Sequence, residues 1–113
     1  MFEKHSEDGY IPVAKDTTRK TLVFGERTLM TEFVMAGGNI LPAHAHPHEQ
    51  VGYLVKGRIR FTIGAEEYDV EAGDSWCVPG DVEHSVEVIE DAVAIEVFSP
   101  VREEFLPEGS EHK

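Results

Sequence analysis

The sequence predicts an all-β protein, folded as an antiparallel sandwich or barrel. Three observations support this prediction. The apolar stretches are short and often alternate with polar residues, which is the periodicity of strands. Glycine, proline and aspartate, which favour turns, separate one stretch from the next. No stretch has the length and apolar spacing of a long amphipathic helix. Many short strands in one small chain are typical of sandwiches and barrels.

The predicted strands follow this alternation along the chain. They cover residues 18–24, 29–35, 40–46, 50–56, 58–63, 67–70, 75–78, 84–89 and 93–98. Gly57 is expected to make a turn, as are Glu90 and Asp91. The polar tail after Pro100 is expected to hold one helical turn. We expect a single domain over residues 1–113, with a core at about 18–99 and peripheral segments at 1–17 and 103–113.

Charge and composition narrow the classes of function. The chain has 22 acidic and 10 basic residues, which gives a net charge of −12. A surface this acidic repels phosphate backbones and anionic lipid, so we expect no nucleic-acid partner and no membrane partner. The single cysteine, Cys77, cannot form an intrachain disulfide, and the start of the chain lacks the apolar stretch of a signal peptide. We therefore expect a cytoplasmic protein.

Three of the six histidines are clustered at His44, His46 and His48. Residues two apart on a strand point to the same side, so His44 and His46 can direct two imidazoles at one point. Gln50 can bring its amide oxygen beside this pair, and His84 follows a turn at 79–81. Imidazole and amide oxygen both bind borderline divalent metals. The alternative is a set of solvated histidines on a polar hairpin, and this is what we expect of His48.

Two spacings extend the cluster into a longer pattern. The first is Gly38, five residues, His44-x-His46, three residues, Gln50, six residues and Gly57; the second is Gly73, five residues, Pro79 and then His84 five residues later. Together they resemble the two motifs of the cupin family. This resemblance implies a single-domain antiparallel jelly-roll β-barrel with one divalent transition metal ion, which can be nickel, zinc, manganese or iron. The implied ligands are His44, His46, Gln50 and His84.

The chain departs from the cupin motifs at three positions. Gln50 stands where the family usually has Glu, Asp81 where it has Gly, and Val88 where it has Asn. Glu49 is adjacent to the ligand position, but strand alternation points it to the other side. The site therefore has one negative charge fewer, which predicts a stronger Lewis acid that is held less tightly.

A closer resemblance covers most of the chain. Residues 44–50 read HAHPHEQ, a string found in some small cupins, and residues 96–106 read EVFSPVREEFL. The second segment is similar to the D-x-F-x-P-x-R-x-D-F-L ending of the pectin-degradation cupins. Those proteins linearise 4,5-unsaturated uronates, the monomers left when lyases cut pectin or alginate. The resemblance implies a small anionic sugar as the substrate, and it places the family's functional acid, phenylalanine and arginine on Glu96, Phe98 and Arg102.

The chemistry of these residue types agrees with such roles. Glu96 and Phe98 share one face of a strand, and a carboxylate inside an apolar barrel has a raised pKa that suits proton transfer. Arg102 offers a planar fork for a substrate carboxylate. We therefore expect Glu96 and Arg102 to be catalytic, and Phe98 and Arg102 to bind the substrate. The alternatives are an outward-facing Glu96, a core Phe98, and a surface ion pair of Arg102 with Glu103 or Glu104.

Two other functions stay open, because this barrel hosts many chemistries. One is an Fe(II)-dependent dioxygenase, and the other is a non-catalytic cupin that binds a sugar or a metal. The resemblance also implies a homodimer. The residues expected to cover the second subunit are Val23, Phe24, Leu29, Phe33 and Met35. Trp76 and Cys77 are expected to serve core packing.

Overall fold

The computed structural model describes residues 1–107, which contain eight strands and one short 3₁₀ turn. The strands are β1 (Ile11–Ala14), β2 (Thr17–Phe24), β3 (Leu29–Met35), β4 (Ile40–His44), β5 (Glu49–Ile63), β6 (Glu66–Glu71), β7 (Ser75–Val78) and β8 (His84–Ser99). The 3₁₀ turn at Glu103–Phe105 is the helical turn predicted for the tail. No helix in this described part is long and apolar enough to cross a bilayer.

β8 lies at the centre of the sheet and pairs with three other strands. The strand order is β1-β2-β3-β8-β5-β6, with β4 also paired to β8 and β7 also paired to β5. All of these pairings are antiparallel. The two long strands, β5 and β8, connect the layers of a jelly-roll barrel, so the predicted fold class is confirmed.

Both long strands run through positions where turns were predicted, so those two predictions were wrong. β5 continues through Gly57, and β8 continues through Glu90 and Asp91. Gly57 has a φ of +90°, and the register between β5 and β8 shifts on both sides of it. The glycine therefore makes a bulge that bends the strand without ending it. The structure also adds β1 to the predicted strands and ends β4 at His44 rather than at residue 46.

Two apolar clusters fill the barrel. The larger contains Met35, Leu54, Ile59, Phe61, Val70, Val78, Val88, Ala92 and Ala94. The smaller contains Leu29, Phe98, Val101 and Phe105, so the packed core continues past the expected limit at residue 99. Alternation along β3 points Leu29 and Met35 into these clusters, where both are buried. The expectation that these two residues cover a second subunit was therefore wrong.

Candidate metal centre and adjoining carboxylate

Three histidines converge where β4 ends and β8 begins. His44 and His84 are direct partners across these two strands, and His46 lies in the connection to β5. Their ligand atoms all lie within 4.8 Å of one another. The ring centroids are 4.3 Å apart for His44 and His84 and 4.9 Å apart for His46 and His84. The structure thus brings together the three histidines that the motif spacing selected.

Backbone carbonyls set the orientation of all three rings. The Nδ1 atoms of His44, His46 and His84 contact the carbonyl oxygens of Pro42, His48 and Val82, at 3.2, 3.0 and 2.9 Å respectively. Donation from Nδ1 leaves Nε2 unprotonated and free to bind an ion. The Nε2 atom of His46 is buried and has no hydrogen-bond partner in the described part of the chain. This arrangement of second-sphere contacts is typical of histidines that bind a metal.

Electrostatics favours the neutral form of the buried rings. Burial lowers the pKa of His46, and the charge on Arg102 lowers it further. Burial also lowers the pKa of His84. Because a histidine binds a metal in its neutral form, the lowered pKa values prepare both rings to act as ligands.

A turn at 79–81 holds His46 beside His84. The backbone N–H of Asp81 donates to the carbonyl of His46 at 2.7 Å. A Cβ atom added at Gly80 would lie 2.5 Å from the carbonyl oxygen of Pro47, so the two segments touch there. Asp81 stands where the second cupin motif has Gly, and its φ is +64°. Aspartate adopts this left-handed conformation more readily than most residues, which explains how the chain tolerates this departure.

Gln50 connects the histidines to a carboxylate. Its side chain is buried, and its Nε2 donates to Oε1 of Glu96 at 2.7 Å. Its own Oε1 is buried and has no hydrogen-bond partner within the described residues. The Gln50 amide raises the pKa of His46, whereas burial, the larger effect, lowers it. An acceptor next to an imidazole has this effect, so the amide oxygen lies on the histidine side. A Glu at position 50, which is usual in the family, would place its carboxylate against that of Glu96. Glutamine avoids this repulsion.

Glu96 points into the barrel from β8. Its Oε1 accepts a second hydrogen bond, from the indole Nε1 of Trp76 at 2.9 Å. Burial raises the pKa of Glu96, and the hydrogen bonds from Trp76 and Gln50 and the charge on Arg102 partly oppose this. The alternative of an outward-facing Glu96 is therefore excluded by the geometry.

The part of the Glu96 side chain that is not covered by other residues faces a cavity of about 60 Å³. The cavity is lined by Phe33, Met35, Leu41, His44, Gln50, Phe61, His84, Ser85, Val86, Ala94 and Glu96. Since a water molecule takes about 30 Å³ of liquid volume, this space holds an ion with a water, or about two waters. His44 is exposed and marks the open side of this space. A larger ligand must widen the cavity from that side to reach Glu96.

Phe98 and Arg102 lie outside the residues that line this cavity. The buried Phe98 ring is 5.8 Å from the His46 ring, centroid to centroid. The guanidinium carbon of Arg102 lies 5.1 Å from the Phe98 centroid. Its Nε is 3.5 Å from a carboxylate oxygen of Glu104, and the side chain is only 15% exposed. The alternative ion pair is thus present, but it is packed against aromatic rings rather than free on the surface.

The sequence reasoning missed two residues near the site. Trp76 was expected only to pack, yet its N–H binds Glu96. Arg19 is 8% exposed, and its guanidinium carbon lies 3.8 Å from the Phe105 ring centroid. Alternation along β2 requires either Arg19 or its neighbour Lys20 to face inwards, which was the available signal. His48, expected to be solvated, is half-buried, and its ring lies outside the three-histidine group.

Comparison with known proteins identifies the family. Residues 31–99 match the family model described as Cupin domain. The chain is a cupin. This cupin is 30% identical over 90 residues to the pectin degradation protein KdgF of Dickeya dadantii (strain 3937), an alignment that covers 78% of this chain and 82% of the relative. The chain therefore resembles the pectin-degradation cupins, as predicted.

Two solved structures support the same assignment. KdgF from Halomonas sp. superposes with a TM-score of 0.88 at 25% identity, over 94% of this chain and 98% of the other. An RmlC-like cupin from Shewanella frigidimarina NCIMB 400 gives a TM-score of 0.87 at 27% identity, over 94% and 96% of the two chains.

Proposed function

We propose that this cupin converts 4,5-unsaturated uronate monosaccharides to linear keto-uronates by ring opening and ketonisation. The observation that carries the proposal is the Glu96 carboxylate, which lies inside the barrel beside the three histidines, with one oxygen bound by two donors. The similarity to two KdgF proteins supports the substrate class. A small anionic sugar is thus the proposed partner, and cytoplasmic localisation stays a prediction.

One divalent transition metal ion is part of this proposal. His44, His46 and His84 would hold it together with Oε1 of Gln50. The buried and unpartnered Nε2 of His46 and Oε1 of Gln50 fit such an ion. Nickel, zinc, manganese and iron all accept a set of three imidazoles and one amide oxygen. When bound, the ion supplies Lewis acidity that polarises a substrate oxygen.

Glu96 is the proposed proton carrier, acting through Oε2. It accepts the proton of the hydroxyl on C1, the bond from C1 to the ring oxygen breaks, and the electron pair moves onto that oxygen. C1 becomes an aldehyde, and the enolate at C4 and C5 receives the proton from Glu96 at C4. C5 then becomes a ketone. The sequence is an isomerisation, so it needs no oxidant and no added water.

Arg102 and Phe98 are proposed to bind the substrate. The Nε of Arg102 is buried and has no hydrogen-bond partner among residues 1–107, which leaves a donor for the substrate carboxylate. Glu104 approaches Arg102 at 3.5 Å and would be displaced by that carboxylate. The Phe98 ring contacts both the His46 ring and the Arg102 guanidinium. It is only 1% exposed, so it would contact the sugar only when the cavity widens towards Arg102.

Substitution of Glu96 by Gln tests this function. The change keeps an oxygen that accepts from Gln50 and Trp76, so fold and metal content are expected to survive. The new side chain cannot exchange a proton, so turnover should fall about a hundredfold or more. The assay follows the loss of the ultraviolet absorbance of the unsaturated uronate, and elemental analysis checks the metal. Glu96→Asp tests the longer acid, and slower turnover would show that the pocket has adapted to glutamate.

Other outcomes would identify a different function. If Glu96→Gln turns over as fast as the parent, Glu96 is not the proton carrier. Oxygen uptake on addition of substrate would instead indicate a dioxygenase, and tight uronate binding without turnover would indicate a binding protein.

We also propose that the chain is a homodimer, through a face other than the one first expected. The outer sides of β3, β5 and β8 form an apolar outer face, defined by Met30, Val34, Val51, Tyr53, Val55, Ile95 and Val97. The residues are contiguous, because Val97 pairs with both Met30 and Val51, and Ile95 pairs with Tyr53. The chain has a net charge of −12, so a second copy is repelled least at a face with few charges. Glu32 lies on this side of β3, paired with Ile95, and its carboxylate accepts a hydrogen bond from the hydroxyl of Tyr10.

Two matched substitutions test the dimer. Tyr53 and Tyr68 are 49% and 50% exposed, but only Tyr53 lies on the apolar outer face. Tyr53→Glu is expected to give a monomer in sedimentation analysis, and Tyr68→Glu to leave the dimer intact. A parent protein that sediments as a monomer would contradict the proposal.

A further inference from the structure

The Glu96 carboxylate is held by donors from two different strands. Nε2 of Gln50, on β5, and Nε1 of Trp76, on β7, both donate to Oε1, at 2.7 and 2.9 Å. These two donors occupy Oε1 and leave Oε2 as the oxygen free to act on a ligand. Only Oε2 of the Glu96 carboxylate is therefore available to a ligand in the adjoining cavity.

Gly52 provides the space through which the indole reaches Glu96. It is the direct partner of Trp76 on one side and of Glu96 on the other, so the three residues form one row across β7, β5 and β8. A Cβ atom at position 52 would lie 2.2 Å from Cε2 and 2.3 Å from Nε1 of Trp76. Any side chain here would therefore push the indole away, and only glycine lets the N–H cross the middle strand.

We propose that Trp76 is a positioning residue for Glu96, and that Gly52 makes this contact possible. The inference rests on the proposed function, since it concerns how the proton carrier is oriented. A glutamate has one more torsion than the aspartate of the pectin-degradation cupins, so an unrestrained carboxylate samples more orientations. The two hydrogen bonds to Oε1 fix that torsion and direct Oε2 at the cavity.

A purely structural role for Trp76 makes different predictions. The indole packs against Phe61, with ring centroids 5.3 Å apart, and a buried indole N–H needs an acceptor. If Glu96 served only to satisfy the indole, removal of the N–H would leave the carboxylate in place and the rate unchanged. If Trp76 positions Glu96, the same removal releases the carboxylate.

Trp76→Phe separates these two roles, because it keeps an aromatic ring against Phe61 and deletes only the N–H. We expect kcat to fall roughly tenfold to a hundredfold, with KM and metal content unchanged, since small displacements of a catalytic group have effects of this size. Gly52→Ala should give the same loss of kcat with the indole still present. Cys77→Ala, on the opposite face of β7, is the control and should match the parent.

Two further measurements report on the contact between Trp76 and Glu96 and do not depend on enzymatic turnover. Trp76 is the single tryptophan of the chain, so it gives one indole N–H signal in proton–nitrogen NMR spectra. This signal should shift upfield and exchange faster in Glu96→Ala and in Gly52→Ala. A crystal structure of Trp76→Phe should show the Glu96 carboxylate rotated away from its position in the parent.

The outcomes distinguish this inference from the proposed function. If the parent does not turn over uronates but Trp76→Phe releases the carboxylate, the function is wrong and the positioning stands. If the carboxylate stays in place in Trp76→Phe, or if kcat of that variant equals that of an active parent, Trp76 does not position Glu96.

Discussion

Gln50→Glu restores the usual cupin ligand, yet the structure predicts that it will destabilise the metal-free protein. Nε2 of Gln50 lies 2.7 Å from Oε1 of Glu96, so the substitution sets a second carboxylate against the first. Two effects act together. A hydrogen bond to a charged group is lost, which costs about 1.5–3 kcal/mol. The two negative charges also repel each other at short range.

The magnitude follows from the distance and from the cost of removing one charge. At an effective dielectric constant of about 20, two unit charges 2.7 Å apart repel by about 6 kcal/mol. The variant can avoid this by protonating one carboxyl, which costs at most about 4 kcal/mol at pH 7, the figure for an unperturbed pKa of about 4.3, because burial raises the pKa of Glu96. A protonated carboxyl then donates a hydrogen bond to its neighbour. We therefore expect a net loss of about 2–4 kcal/mol in the free energy of unfolding.

Urea denaturation in the presence of a chelator measures this loss, because a bound metal would stabilise the two proteins unequally. The midpoint should fall by roughly 1–2 M. The exchange of both residues, Gln50→Glu with Glu96→Gln, returns one amide and one carboxylate and should recover most of the loss. A double-mutant cycle with the single Glu96→Gln variant then gives the coupling. Additive effects, or a Gln50→Glu variant as stable as the parent, would refute the contact.

Two further predictions concern the site. His46→Ala should remove most of the metal, because it deletes a buried ligand nitrogen. His48→Ala should keep the metal, because the His48 ring lies outside the three-histidine group and the backbone carbonyl that orients His46 is retained. Elemental analysis of both proteins checks this, and full occupancy in His46→Ala would contradict the ligand set. Arg102→Lys keeps the charge but loses the fork, so uronate affinity should fall about tenfold in calorimetric titrations while metal content is unchanged. Equal affinity of the parent for a uronate and for its neutral sugar counterpart would argue against this role.

The sequence predicted the fold class and the three histidines well, and the reason is physical. The His-x-His spacing identifies two imidazoles that converge, although His46 lies beyond the end of β4 and reaches the site from the connection to β5. The turn before His84 can be recognised from Pro79 and Gly80. Such features depend on local geometry, which a linear pattern records directly.

The parts that could not be predicted depend on contacts between distant residues. A glycine such as Gly57 marks a bulge as readily as a turn, and only the pairing of β5 with β8 decides which it is. Alternation shows that either Trp76 or Cys77 faces inwards, but it shows neither which of the two does so nor that the indole N–H meets Glu96. That contact requires Gly52 to lie between them, and no single stretch of sequence contains all three residues.

The pairing of β8 also has a consequence for how the molecule opens. Glu96 lies in a strand that is hydrogen-bonded on one side to β3 and on the other to β5, so its amide exchanges with solvent only when the barrel itself unfolds. His44 ends a short strand whose residues are mostly exposed, and its segment can open at much lower cost. A ligand that bridges the two parts will therefore slow hydrogen exchange in β4 far more than in β8. Glu96 and the entrance to its cavity belong to regions of different local stability, so the entrance can rearrange while the carboxylate stays fixed.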